Sequence, residues 1–123
     1  MIMRTPAEDV EVSGGTIPAG KTVTCLIGAV NRDDRYFANS DTFNIFRDDL
    51  NIKHAFSGAA NHNAFTMGRH FCVGAMFAKA EINAAMKYLL DVTSDIQLAE
   101  GAPPEVGIFT RAPKSLKITF TPA

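Results

Sequence analysis

Cys72 is the residue in this chain best placed for chemistry. It lies in Gly68-Arg-His-Phe-Cys-Val-Gly74, a glycine-punctuated loop that runs straight into a helical pattern. A sulfur immediately before a helix faces that helix's free amides and its positive end, which stabilise the thiolate form and aim it at a cation or metal. Gly74 leaves room for a flat ligand against the first turn, and His70, two residues before the sulfur, is placed to donate to an anionic group at the ligand's edge. Phe65 and Phe71 supply apolar cover. Cys25 differs, because Thr22-Val-Thr-Cys-Leu-Ile27 is a β-branched run in which a thiol reads as a small buried hydrophobe. His54, His62 and His70 recur every eight residues, but an irregular loop fixes no ligand geometry, and His62 reads as an ordinary loop residue.

A second string with chemical content is Gly15-Thr-Ile-Pro-Ala-Gly-Lys-Thr22, which satisfies the phosphate-loop pattern G-x-x-x-x-G-K-[ST]. That chemistry needs a helix starting at the lysine, whose N-terminus supplies the anion-binding dipole. Val23, Thr24, Leu26 and Ile27 favour a strand instead. The string therefore reads as a hairpin with Ile-Pro-Ala-Gly as its tight turn, and Lys21 as a solvated turn residue.

The elements that must position Cys72 follow from patterning. Val10 and Val12 alternate with acidic neighbours, and turns at Gly14-Gly15 and Pro18-Ala-Gly20 divide an N-terminal stretch of strands. Residues 31–70 form a long meander rich in Asn, Asp, Gly and His, with one short helix near residues 31–37. Ala75, Ala78, Ile82, Ala85 and Leu89 then recur at spacings of three and four, which predicts a helix over about residues 73–91. After Pro103-Pro104, Leu116, Ile118 and Phe120 alternate with Lys117, Thr119 and Thr121, the pattern of a strand in an edge hairpin with Ile108 and Phe109 near its tip. The expected class is α+β, residues 1–123 as one domain, with strands at both ends, a long meander and one dominant helix. Composition agrees with a folded chain, since 46% of residues are apolar and 20% charged. Twelve Lys and Arg against thirteen Asp and Glu, with no basic run, argue against nucleic acid as a partner. The strongest apolar run, residues 23–30, is too short to span a bilayer, and the first four residues carry no signal-peptide pattern, so a cytoplasmic protein without a membrane partner is expected.

Phe65-Thr-Met-Gly-Arg-His-Phe-Cys-Val-Gly74 resembles the haem-binding signature of the cytochrome P450 family, F-x-x-G-x-[HR]-x-C-x-G. The resemblance continues outside the loop. Residues 4–18 resemble the family's arginine-led strand and hairpin, Ala29-Val-Asn-Arg-Asp33 its asparagine-arginine-aspartate segment, and residues 43–47 its meander. His54-Ala-Phe56 resembles the lead-in to the haem loop, and Ala75-Met-Phe-Ala-Lys-Ala-Glu81 the start of the proximal helix. Nearly all of the chain is covered, in order, by what corresponds to the family's C-terminal third. The resemblance implies haem, iron protoporphyrin IX, as cofactor, with Cys72 as the axial thiolate that pushes electron density toward O–O cleavage. It also implies that His70 and Arg4 bind haem propionates, that Phe65 packs beside the sulfur, and that Gly68 and Gly74 permit its approach to the porphyrin. The alternatives that the residues leave open are Arg4 as a solvated terminal charge, His70 as a loop hydrogen-bonder and Cys72 as a free thiol.

Two departures from the family pattern matter. Ser57-Gly-Ala-Ala-Asn-His-Asn-Ala64 looks like an insertion between the lead-in and the haem loop. The oxygen-handling helix and the Glu-x-x-Arg unit that the resemblance implies upstream of Arg4 have no counterpart in these 123 residues. Arg47, which pairs with that unit in the family, must then find Asp48, Asp49, solvent or a second chain, because a buried guanidinium without a carboxylate is costly. A haem covered on one side would leave an apolar face that invites association. The expected function is a haem-thiolate protein needing another polypeptide or self-association for oxygen activation, with a redox partner docking near Lys79 or Arg69. The alternative is a descendant of the same family repurposed for binding, scaffolding or non-redox cyclisation.

Overall fold

The structure, a computed structural model, describes residues 1–123 as two compact units, Met1–Asp49 and Leu50–Ala123. In the first, β1 (Ile2–Arg4) pairs antiparallel with β4 (Val23–Cys25), Ile2 opposite Cys25 and Arg4 opposite Val23. Between them, β2 (Val10–Val12) and β3 (Gly15–Ile17) form a tight hairpin closed by the Gly14 N–H donating to the Val12 carbonyl at 2.7 Å. Gly15, at φ +143°, adopts backbone that only glycine enters without strain.

The turn at Pro18 is present, with Lys21 N–H donating to the Pro18 carbonyl at 3.3 Å. It links β3 to β4, yet these strands pair with β2 and β1 respectively, so the expected hairpin between them does not form. No helix starts at Lys21, since β4 follows. Without a helix N-terminus, the phosphate-loop reading fails on its own physical requirement.

The short helix expected near residues 31–37 instead occupies α1 (Ile27–Val30) and is continued by turns, with Tyr36 and Phe37 N–H both donating to the Asp33 carbonyl at 2.9 Å. Phe37 is the buried apolar side chain of this unit. Polar side chains tie the meander around it. Ser40 Oγ donates to the Arg32 carbonyl and to Asp34, at 2.9 and 2.8 Å. Arg47 finds its partner within the chain: Nε and Nη2 grip both oxygens of Asp49 at 2.8 and 2.6 Å, while Nη2 also donates to the Ala38 carbonyl at 2.7 Å. These hydrogen bonds hold the Asp49 carboxyl below the usual carboxylate range.

The second unit is built on α2 (Ala75–Val92), close to the span expected for the dominant helix. Its C-terminus flows directly into β5 (Thr93–Leu98), and Thr93, itself buried, satisfies its hydroxyl on the Leu89 carbonyl at 2.6 Å. β5 pairs antiparallel with β8 (Ile118–Pro122), with a bulge between Ser94 and Gln97. The alternating strand expected at the C-terminus thus exists, but its partner is β5 rather than a neighbour in a local hairpin. The local hairpin is β6 (Glu105–Val106) with β7 (Ala112–Pro113), and Ile108 and Phe109 lie at its exposed tip.

Burial is sparse. Phe37 and Ala75 are the buried apolar residues, and no large side chain is fully enclosed. Phe43, Phe46, Phe77 and Tyr88 are each more than 70% exposed. On α2, exposed Met76, Ile82, Met86 and Leu90 spread along one flank and exposed Phe77, Tyr88 and Val92 along another. A helix apolar on so many sides belongs to an interior.

The first unit has a pH signature of its own. Both oxygens of Asp33 accept from the Arg35 guanidinium, at 2.8 and 2.6 Å, and Oδ1 also takes the Arg35 backbone N–H at 3.1 Å. The carboxyl is thereby held down from 3.8 to about 2. Because the folded value is the lower one, the pair's contribution is present above the unfolded value of 3.8 and is lost as the pH falls through about 2. An NMR titration at low salt is expected to place the Asp33 midpoint near 2 and to move it upward in Arg35→Ala, which removes the guanidinium and keeps the backbone donor; equal midpoints in the two proteins contradict the pairing.

Candidate functional site: the cysteine loop

The loop that carries Cys72 is shaped by backbone rather than by packing. Phe65 enters it half-buried, its ring tilted against Phe56 with centroids 5.2 Å apart and against His62 at 6.5 Å. Thr66 follows in the left-handed region at φ +58° and Gly68 at φ +60°. For a β-branched residue such as Thr66 that conformation is uncommon, and its hydroxyl compensates by donating to the His70 carbonyl. Gly68–His70 then makes one turn of 3₁₀ helix, with Phe71 N–H donating to the Gly68 carbonyl at 3.1 Å.

Two backbone hydrogen bonds place Cys72. Its N–H donates to the Phe65 carbonyl at 2.9 Å, closing the loop, and its carbonyl accepts the Ala75 N–H at 3.2 Å, joining the loop to the first turn of α2. Gly74 is the N-cap, at φ −84°, and no side chain caps the helix. The thiol is exposed. A Cβ built on Gly74 would lie 3.8 Å from the sulfur, so the glycine keeps the space beside Sγ clear. An exposed sulfur at the head of an 18-residue helix, with a side-chain-free residue beside it, suits a soft metal carried by a flat ligand.

The expected site residues separate into groups. Phe65, Gly68, His70, Cys72 and Gly74 are gathered by the one loop. His70 is exposed, its side chain turned to no hydrogen-bond partner in the loop, while its backbone spans the turn. Arg4 stands on β1 in the other unit, where its guanidinium donates to the Met3 carbonyl at 2.8 Å. His54, His62 and His70 join no set of three ligating side chains, so they do not make a metal centre of their own. His62, expected to be an ordinary loop residue, is half-buried and engaged on both its nitrogen and its ring, with Nδ1 accepting the Ala64 N–H at 3.2 Å. The Asn-His-Asn-Ala run before Phe65 was its one signal, a turn-forming string adjoining an aromatic residue.

The comparisons with known proteins agree with this geometry. A sequence model of the family described as Cytochrome P450 matches residues 1–106. The pulcherriminic acid synthase of Bacillus subtilis is 47% identical over 121 residues, which is 98% of this chain and 30% of that protein. The biotin biosynthesis cytochrome P450 of the same organism is 34% identical over 81% of this chain and 23% of its own length. Among solved structures, cytochrome P450 CYP109Q5 from Chondromyces apiculatus superposes with a TM-score of 0.83 at 32% identity, covering 99% of this chain and 29% of that one. P450BioI, solved with a hexadec-9Z-enoic acid-ligated acyl carrier protein, superposes at 0.80 with 32% identity, over 98% of this chain and 29% of its own. The chain belongs to the cytochrome P450 family, and it spans 22% to 30% of the length of the curated relatives it matches. No helix is long and apolar enough to cross a membrane.

Gly68 and Gly74 differ in what a side chain would cost. Nothing lies within 4 Å of a Cβ on Gly68, so Gly68→Ala carries only left-handed strain, about 1 kcal/mol. Gly74→Ala meets the sulfur at ordinary contact distance with an unstrained φ and is expected to stay within about 0.5 kcal/mol of the parent. Urea unfolding of the two variants is expected to show that order, and the reverse order contradicts the loop geometry.

Proposed function

We propose that this chain is the haem-thiolate portion of a P450-type monooxygenase, with Cys72 as the iron ligand, and that it works when another polypeptide supplies the remainder of the family's fold. The observation that carries this reading is the exposed Cys72 thiol at the head of α2, inside the signature loop. Haem held there would supply oxygen activation, the chemistry that iron ligated by a thiolate favours.

The chain's own residues then have distinct tasks. Cys72 would hold the iron, and its amide, tied to the Phe65 carbonyl, fixes the backbone from which the exposed sulfur projects. Gly68 supplies the left-handed turn and Gly74 keeps the sulfur's neighbourhood clear. His70, exposed at the end of the 3₁₀ turn, would donate to a propionate. Phe65 would serve through its carbonyl, which takes the Cys72 N–H at 2.9 Å and fixes the backbone that carries the sulfur.

The need for a covering polypeptide rests on surface. Aromatic residues that stand open on α2 and the meander belong to an interior, and patches of this extent drive association. Alone, the loaded chain self-associates. A redox partner docks near Arg69 and Lys79, both exposed cations close to the sulfur in sequence.

Reconstitution with haem, reduction and addition of carbon monoxide is expected to give the absorption band of a thiolate-ligated haem, absent in Cys72→Ala. An imidazole-type spectrum, or none, sinks the proposal. Retained biological activity in Cys72→Ala would instead favour a repurposed, haem-independent domain. Sedimentation of the haem-loaded chain is expected to show an oligomer that resolves when the covering polypeptide is added; a fully soluble monomer contradicts the covering requirement.

A further inference from the structure

Residues 57–64 lie on the approach to the cysteine loop, and their contacts bear on the sulfur. We propose that His62 is a positioning residue for the Cys72 sulfur, acting through Phe65; where haem is concerned the inference rests on the function proposed above, but the loop it describes exists without haem.

The chain of contacts is short. His62 Nδ1 accepts the Ala64 N–H at 3.2 Å, folding the backbone into a side-chain-closed turn that delivers Phe65. The imidazole lies 6.5 Å from the Phe65 ring at 54°, and Phe56 lies on Phe65 at 5.2 Å and 42°, both within the range of attractive tilted aromatic pairs. Phe65 is thereby held by two rings from the segment that precedes it. Its carbonyl accepts the Cys72 N–H at 2.9 Å, so a shift of Phe65 is a shift of the cysteine backbone. The loop's remaining ties are hydrogen bonds, among them the Thr66 N–H to the Asn63 carbonyl at 3.1 Å and the Thr66 hydroxyl to the His70 carbonyl, while Met67, Gly68, Arg69 and His70 are all exposed and Thr66 is in an unfavoured conformation. His62 therefore bears on the sulfur's position without touching it.

The two parts of the His62 contact are separable by substitution. His62→Asn keeps an acceptor for the Ala64 N–H and loses the ring, whereas His62→Phe keeps the ring and loses the acceptor. The test is amide hydrogen exchange in the full-length, haem-free chain, comparing the Cys72 N–H with the Ala78 N–H, which donates to the Gly74 carbonyl inside α2. His62→Ala is expected to speed exchange at Cys72 by roughly fivefold to tenfold. Ala78 is expected to stay unchanged, and His62→Phe and His62→Asn are each expected to recover part of the protection at Cys72. Unchanged exchange at Cys72 overturns the proposal, and so does equal acceleration at Cys72 and Ala78, which would mark general destabilisation. Because no haem is present, failure here is distinct from failure of the haem-thiolate reading. In the haem-loaded chain the same variants are expected to release haem to an apo-globin acceptor in the same order, and an order unrelated to the Cys72 exchange rates contradicts the proposal.

Discussion

A backbone hydrogen bond from the Cys72 N–H to the Phe65 carbonyl is the constraint on which the site depends. It closes a loop that contains two residues in the left-handed region, Thr66 and Gly68, and almost no buried side chain. Such a loop has little packing enthalpy to hold it, so its geometry is set by what ties its two ends. At one end stand the rings of Phe56 and His62 around Phe65, and at the other the first turn of α2, which takes the Cys72 carbonyl. The sulfur is left facing water at the start of a helix whose amides are uncapped by any side chain, an arrangement suited to a ligand that brings its own covering surface.

The rest of the molecule shows the same economy. Isolated clusters of polar side chains stabilise the first unit: Asp33 with Arg35, Ser40 with Arg32 and Asp34, and Arg47 with Asp49. Arg47 is the instructive member, since its bidentate partner lies two residues away and it is only 14% exposed. The meander therefore satisfies its guanidinium locally, without a carboxylate from elsewhere. Apolar surface is treated differently, because nothing within the chain covers Phe43, Phe46, Phe77 or Tyr88. The polar interactions are self-contained while the hydrophobic ones are open, as expected of a portion of a larger fold whose relatives are more than three times its length.

What could be read from the residues was decided by how local the interaction is. α2 was legible because its apolar spacing and good helix formers act within a few residues, and the cysteine loop because glycines at 68 and 74 mark a turn and a helix start. β5 was not legible: in Thr93-Ser-Asp-Ile-Gln-Leu98 only Ile96 and Leu98 alternate with polar neighbours, too short a run to announce a strand, Asp95 sits at φ +49°, and its partner β8 is twenty residues further on. α1 starts at Ile27, where the β-branched apolar run from Thr22 predicts strand, a preference overridden by the turns that follow. The tilted rings around Phe65 came from residues three and nine positions away in an irregular stretch, where no periodicity announces a contact.

The central claim is that one sulfur, that of Cys72, ligates iron. Iron-edge X-ray absorption of the haem-loaded chain measures this directly, by the identity of the atoms around the metal. A single sulfur scatterer in the wild-type chain, lost in Cys72→Ser while Cys25 remains, is the predicted result. A shell of nitrogen and oxygen alone in the wild type, or a sulfur that survives Cys72→Ser, would contradict the account.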